Sequence, residues 1–121
     1  MSNIIGAFMN FNKEILLTIF LLFATQVIVW YQLNGQLVWK WAKEHPLLLS
    51  FLGVPISYTF ILTTKIGYDA FGGLWPIRLL GFATGMISFP IMTWILLNEG
   101  INIKTAISIM LSIIIMILQL I

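Results

Sequence analysis

Four side chains within long apolar stretches carry chemistry that a hydrocarbon surface lacks: Gln26, Trp30, Tyr58 and Arg78. The Gln26 amide both donates and accepts hydrogen bonds, and Arg78 is permanently charged. Trp30 follows Gln26 by four residues and so shares its helical face, where an indole ring could bind a cation. Tyr58 needs a hydrogen-bond partner wherever its ring is buried. These side chains are the predicted substrate-binding residues for a small polar or amphipathic molecule.

Each of these residues also has an ordinary structural interpretation. A membrane-buried Gln26 commonly bridges helices, and Trp30 could anchor a helix at the headgroup level. Arg78 is near a predicted helix end and could extend to the interface, or it could face inward toward an anion or a carboxylate. Asp69 is the acid predicted on the same side as Arg78, and Tyr58 could bond to a buried Ser or Thr.

Several kinds of chemistry have no residues to support them. No Asp or Glu lies inside the long apolar stretches, and the chain has no cysteine. His45 has no second ligand type nearby, and neither a nucleophile–base pair nor a phosphate-binding glycine loop is present. We therefore predict no enzyme activity, no metal and no cofactor. The net charge of +2 is too small to favour nucleic-acid binding.

The composition indicates an integral membrane protein. Sixty per cent of the residues are hydrophobic and eight per cent are charged, against roughly 25% charged in soluble domains. A membrane-spanning helix needs about 20 mostly apolar residues, and the sequence predicts four, at 15–33, 47–64, 74–97 and 101–121. The prediction is an all-α four-helix transmembrane bundle forming a single domain, 1–121, in an inner or plasma membrane. Short connections make neighbouring helices antiparallel and place both termini on one side.

Two flanking pieces are predicted to lie at the bilayer surface. Residues 1–12 hold a short apolar strip before the first span, which Asn12 could cap. Residues 39–43 alternate aromatic and basic side chains, a mixture that is enriched at the headgroup level. Both pieces are interpreted as interfacial anchors.

Small and polar residues form one stripe on each predicted span. The stripes are Thr18, Thr25 and Gln32; Ser50, Gly53, Ser57 and Thr64; Gly81, Gly85 and Ser88; and Thr105, Ser108, Ser112 and Gln119. Spacings of three, four and seven put each set on one helical face, where small residues allow close helix approach. Gly81 and Gly85 form a GxxxG pattern, the predicted tightest contact, with Ser88, Ser108 and Ser112 as further packing residues. Pro55 and Pro90 are predicted to kink their spans.

The basic residues are balanced across the membrane. Lys13, Lys65 and Arg78 are predicted on the side of the termini, and the other three Lys residues on the opposite side. Orientation follows Lys/Arg asymmetry, so this balance leaves orientation undecided. The chain could insert both ways and form an antiparallel homodimer, or a partner protein could fix its orientation.

Length, four spans, short loops and charge balance resemble the small multidrug resistance family within the drug/metabolite transporter superfamily. Ala24-Thr25-Gln26-Val27-Ile28 resembles that family's Ala-Glu-Val-Ile segment with one residue inserted. The turn Leu97-Asn98-Glu99-Gly100-Ile101 resembles the superfamily's Leu-Gly-Glu-Pro-Leu turn before its last helix. The similarity is spread over residues 15–121.

The resemblance implies a dimeric transporter, but the family's proton-binding glutamate is replaced. Gln26 stands at that position, and an amide cannot ionise to exchange a proton for a cation. We therefore predict a small transporter-like protein whose cavity is lined by the four residues above and which lacks a carboxylate proton switch. The alternative is a non-catalytic small subunit of a larger membrane complex. A holin-like pore is a more distant alternative, because the chain lacks a charged C-terminal tail.

Overall fold

A computed structural model of the protein describes residues 13–121, and every regular element in that range is helical. The predicted interfacial segment 1–12, with its Asn12 cap, lies outside the described residues. The elements are α1 (Lys13–Asn34), a 3₁₀ turn (Gly35–Leu37), α2 (Lys40–Glu44), α3 (Pro46–Ser50), α4 (Gly53–Phe71), α5 (Trp75–Leu97) and α6 (Ile103–Leu120).

Four stretches are long and apolar enough to cross a membrane. They are Lys13–Leu37, Pro46–Phe71, Trp75–Leu97 and Ile103–Leu120. This confirms the predicted all-α fold with four spans, and the chain is a multi-pass membrane protein. The connections after the second and third spans are short, so consecutive helices run antiparallel.

The second span is longer than predicted, since α4 ends at Phe71 rather than at residue 64. The apolar run stops at Lys65, but the helix does not, because a long lysine side chain can reach the interface from within the last turns. Gly72 ends the helix instead. It adopts φ +73°, and its N–H donates to the Tyr68 carbonyl at 2.9 Å, a left-handed cap that suits glycine.

Pro55 does not kink a continuous helix, which corrects the prediction. The chain makes a turn at 51–52 between α3 and α4, and Pro55 is the third residue of α4. A proline in the first helical turn removes an N–H that has no partner within the helix. Pro90, by contrast, lies inside α5 and is buried.

The helices do not pack as a closed square. α1 packs against both α4 and α5, and α6 packs chiefly against α5. α4 and α5 touch each other only slightly, although they are consecutive. A gap is therefore left between α4 and α5, with α1 behind it.

The predicted stripes of α1 and α6 face their neighbours. Thr18 and Thr25 are fully buried in α1, and each hydroxyl donates to the carbonyl four residues earlier. Ser112 is buried in α6, and Ser108 is partly covered. Side-chain bonding within the helix removes the cost of placing hydroxyls at membrane depth.

The stripe predicted for the second span is wrong by about one residue. The buried positions are Leu49, Ile56, Thr63 and Gly67, whereas Ser57 is exposed. One residue corresponds to about 100° of helix rotation, so the two sets face different directions. Small size alone did not identify the packing face, because the buried set includes two large aliphatic residues.

The tightest helix approach is at Gly67 rather than at the predicted Gly81. A Cβ atom added to Gly67 would lie 2.8 Å from Ile77 Cγ1 and 3.0 Å from Thr18 Cγ2. A Cβ atom added to Gly81 would meet nothing within 4 Å. Gly85 is intermediate, with the Gln26 amide about 3.2 Å from its added Cβ. The GxxxG pattern therefore contains one contact residue and one open residue.

Candidate functional site

The gap between α4 and α5 forms a groove of about 880 Å³, which lies within the usual range of small-molecule sites. Its lining comes from three helices and the turn before α5: Leu22 and Gln26; Phe60 and Thr64; Leu74, Trp75, Ile77, Arg78, Gly81 and Phe82. We call this space the α4–α5 groove. Because its walls hardly touch each other, the groove is open along the side between α4 and α5.

Gln26 is half-buried at the base of the groove. Its Nε2 donates to the Gly81 carbonyl at 3.1 Å and so bridges α1 and α5. The side chain of Thr84 donates to the same carbonyl at 3.0 Å. The Gln26 Oε1 accepts no hydrogen bond from residues 13–121, and the amide lies against Gly85, where an added Cβ atom would be 3.2 Å from Oε1.

Arg78 lies on the groove wall and is the fourth residue of α5. Its guanidinium lies 4.9 Å from the centroid of the Phe82 ring, within the range of a cation–π contact. The ion pair with Asp69 that the sequence allowed does not form, and the only ion pair in residues 13–121 joins Lys40 to Glu44. The guanidinium is therefore free to bind an anion.

Trp30 is not part of the groove. Only 2% of its surface is exposed, and its Nε1 donates to Thr93 Oγ1 at 3.1 Å. The indole packs between α1 and α5, where it neither anchors at the interface nor presents a face to a ligand. The prediction that Trp30 forms an aromatic wall for a ligand is therefore wrong, because the indole is a buried packing contact between helices.

Tyr58 does not line the groove either. Its side chain is 61% exposed and points outward from the middle of the second span, beside the exposed Ser57. Neither hydroxyl has a hydrogen-bond partner within the described part of the chain. The buried bond to Ser or Thr expected for Tyr58 is absent because this face of α4 is turned away from α1 and α5.

Several residues that line the groove are not among the predicted site residues. Trp75, Arg78 and Phe82 are three and four residues apart, so one face of α5 combines two aromatic rings with a cation. Phe60 and Thr64 are four apart on α4. The spacing of aromatic residues around Arg78 was a signal in the sequence for the α5 residues. The α4 residues gave no such signal, because the sequence does not show which face of α4 is turned toward the groove.

The comparisons with known proteins identify no relative. No protein-family model, no curated protein and no solved structure matches the chain. The resemblance to the small multidrug resistance family stays a prediction, and the site is interpreted from its own geometry.

Proposed function

We propose that this protein is a small transporter that moves an amphipathic or small polar solute, as a dimer, through the α4–α5 groove. The observation that carries the proposal is the combination of Gln26 at the base and Arg78 on the wall of a sideways-open groove. Gln26 brings a polar amide to membrane depth, and Arg78 adds a cation without an ion-pair partner among residues 13–121 near the end of the same groove; polar and charged groups so placed commonly mark a binding path. An inner or plasma membrane is proposed because outer-membrane proteins of the barrel type span with strands.

The lining supports transport without a carboxylate proton switch. No Asp or Glu lines the groove, and Gln26 already donates one hydrogen bond to α5. An amide keeps the same charge at every physiological pH, so protonation at Gln26 cannot drive release of a solute. Solute movement then follows its own gradient or a coupling supplied elsewhere.

The outward face of α4 supports assembly. Ser57 and Tyr58 place two hydroxyls that have no partner within residues 13–121 near the midpoint of the span, where a neighbouring helix could satisfy them. In the transporter proposal a second copy covers this face. The same observation favours the alternative, in which the chain is a small subunit and a larger membrane protein covers it.

The transport proposal is tested by filling the groove. In proteoliposomes, Gly81→Leu should abolish most of the flux, because the new side chain would enter open space on the groove wall. Gly81→Ala is the matched control, since its methyl group meets no neighbour and leaves most of the groove open. The solute panel should include anionic, cationic and neutral amphiphiles.

The outcomes separate the two candidate functions. Flux by the wild type and Gly81→Ala, but not by Gly81→Leu, would support transport through this groove. No flux across the panel, together with recovery of a specific larger partner in mild detergent, would favour the subunit function. Equal flux by all three proteins would refute the groove as the route.

A further inference from the structure

We propose that the α4–α5 groove selects single-chain amphiphiles with an anionic headgroup, which enter from the lipid. This inference rests on the proposed function, because it names the solute class of the same groove. It concerns binding, so it can be tested without measuring transport. It assigns the headgroup to Arg78 and the alkyl chain to the apolar walls of the groove.

The groove carries a single positive charge. Arg78 is the only charged residue in the lining, and it has no ion-pair partner among residues 13–121. A guanidinium binds carboxylate or phosphate through paired, charge-assisted hydrogen bonds. It would repel a cationic solute from the same space. The groove therefore favours anions, although the family that the sequence resembles handles cations.

The cation lies near one end of its helix. Arg78 lies one turn into α5, and Trp75 precedes it by three residues on the same face, with 75% of its surface exposed. An exposed indole beside a cation near a helix end is typical of the headgroup level. An anionic headgroup would therefore meet Arg78 without leaving the depth it occupies in the bilayer.

The space beyond Arg78 has a shape that suits an alkyl chain. Leu22, Phe60, Ile77 and Phe82 give the groove apolar walls, and the slight contact between α4 and α5 leaves its side open. A chain lying in the leaflet can pass sideways into such a space without crossing water. A volume of about 880 Å³ is of the size that holds a drug-sized molecule, which suits one chain better than a two-chain phospholipid.

Binding can be measured by quenching of Trp75. The protein is placed in phosphatidylcholine nanodiscs and titrated with dodecyl phosphate, dodecyltrimethylammonium or dodecyl maltoside, each brominated on the chain. Five tryptophans contribute to the fluorescence, so the Trp75 signal is the difference between the wild type and Trp75→Phe. The phosphate should quench this signal at a concentration about tenfold lower than either other headgroup, as expected for one charge-assisted pair.

Variants assign the selectivity to Arg78. Arg78→Gln should weaken phosphate binding about tenfold and leave maltoside binding unchanged. Arg78→Lys keeps the charge and should retain most of the affinity, which shows that the groove remains folded. Lys65→Gln is the matched control, because it removes an exposed cation at the same end of the bundle but outside the groove. Its affinity should equal that of the wild type.

Three results would overturn the inference. The first is equal quenching by all three headgroups, and the second is unchanged phosphate binding by Arg78→Gln. The third is displacement of the amphiphile by inorganic phosphate at similar concentrations, which would indicate a site for free anions. Selective binding with silent proteoliposomes would refute transport alone, whereas groove-dependent flux of a cationic amphiphile would refute this inference alone.

Discussion

Gly67→Ala should destabilise the protein, although alanine is the better helix former. The added methyl group would lie 2.8 Å from Ile77 Cγ1, a separation that Cβ atoms in folded proteins essentially never show, and 3.0 Å from Thr18 Cγ2, which is unusually tight. Neither neighbour can move easily. Ile77 is 4% exposed, and Thr18 is fully buried with its hydroxyl bonded to the Glu14 carbonyl at 2.7 Å. The contact joins α4 to both α1 and α5, so the strain affects the centre of the bundle.

The magnitude follows from two opposing terms. Replacing glycine by alanine within a helix gains about 1 kcal/mol, and adding a methyl group to a packed contact costs about 1–3 kcal/mol. Gly81→Ala has the same helical gain, but its methyl group meets nothing within 4 Å. The difference between the two variants removes the propensity term. We expect Gly67→Ala to be less stable than Gly81→Ala by about 1–3 kcal/mol.

The assay is reversible unfolding in mixed micelles, with the denaturing detergent titrated and helix content followed by circular dichroism. Gly81→Ala should match or slightly exceed the wild type, and Gly67→Ala should unfold at a lower denaturant fraction. Equal stability of the two variants would show that α4 does not approach α1 and α5 as closely as described. That result would refute the packing from which the position of the groove is derived.

Three further predictions concern polar contacts between and at the ends of the helices. A double-mutant cycle of unfolding with Trp30→Phe and Thr93→Val should give a coupling free energy of about 1 kcal/mol, because each single change leaves a buried group without its partner. Additive effects of the two changes would contradict the hydrogen bond between Trp30 and Thr93. Gln26→Leu should lower the free energy of unfolding by only about 0.6 kcal/mol, since the Gly81 carbonyl still accepts a hydrogen bond from Thr84. A loss of stability above about 2 kcal/mol would indicate a larger structural role for Gln26. Asn102→Ala should lower the free energy of unfolding by about 1 kcal/mol, because the Asn102 side chain accepts a hydrogen bond from the backbone N–H of Thr105 at 2.9 Å. Asn102→Asp should keep this helix cap and most of the stability.

Composition and apolar length were sufficient to predict the fold class. Charged residues are so few that the chain must lie in lipid, and each apolar run is close to the bilayer thickness. The stripes on α1 and α6 were also predictable, because Thr18, Thr25 and Ser112 are small and polar and also buried. On these helices the small residues coincide with the contact face.

The second span was less predictable, because its contact face combines Leu49 and Ile56 with Thr63 and Gly67. In lipid, an aliphatic side chain is equally suited to a helix contact and to the bilayer, so hydrophobicity does not distinguish the two faces. The turn at 51–52 and the glycine cap at its far end also depend on backbone geometry that residue type alone does not fix.

Of the four predicted site residues, Gln26 and Arg78 line the groove, and Trp30 and Tyr58 lie elsewhere. Trp30 shares a helical face with Gln26, but it is bonded to Thr93 where α1 packs against α5, whereas Gln26 lies beside the gap between α4 and α5. Which part of a face is covered depends on the separation of the neighbouring helices. That separation is a tertiary property with no local sequence pattern.

The claim that solute passes through the α4–α5 groove is tested most directly by blocking the groove chemically within a single preparation. The chain has no cysteine, so Gly81→Cys introduces a unique thiol on the groove wall, and Ile95→Cys introduces one on the exposed face of the same helix. Flux is measured in proteoliposomes before and after reaction with a bulky maleimide. The account predicts that flux falls in proportion to the labelled fraction for Gly81→Cys and is unchanged for Ile95→Cys. Full labelling at position 81 with undiminished flux would contradict it.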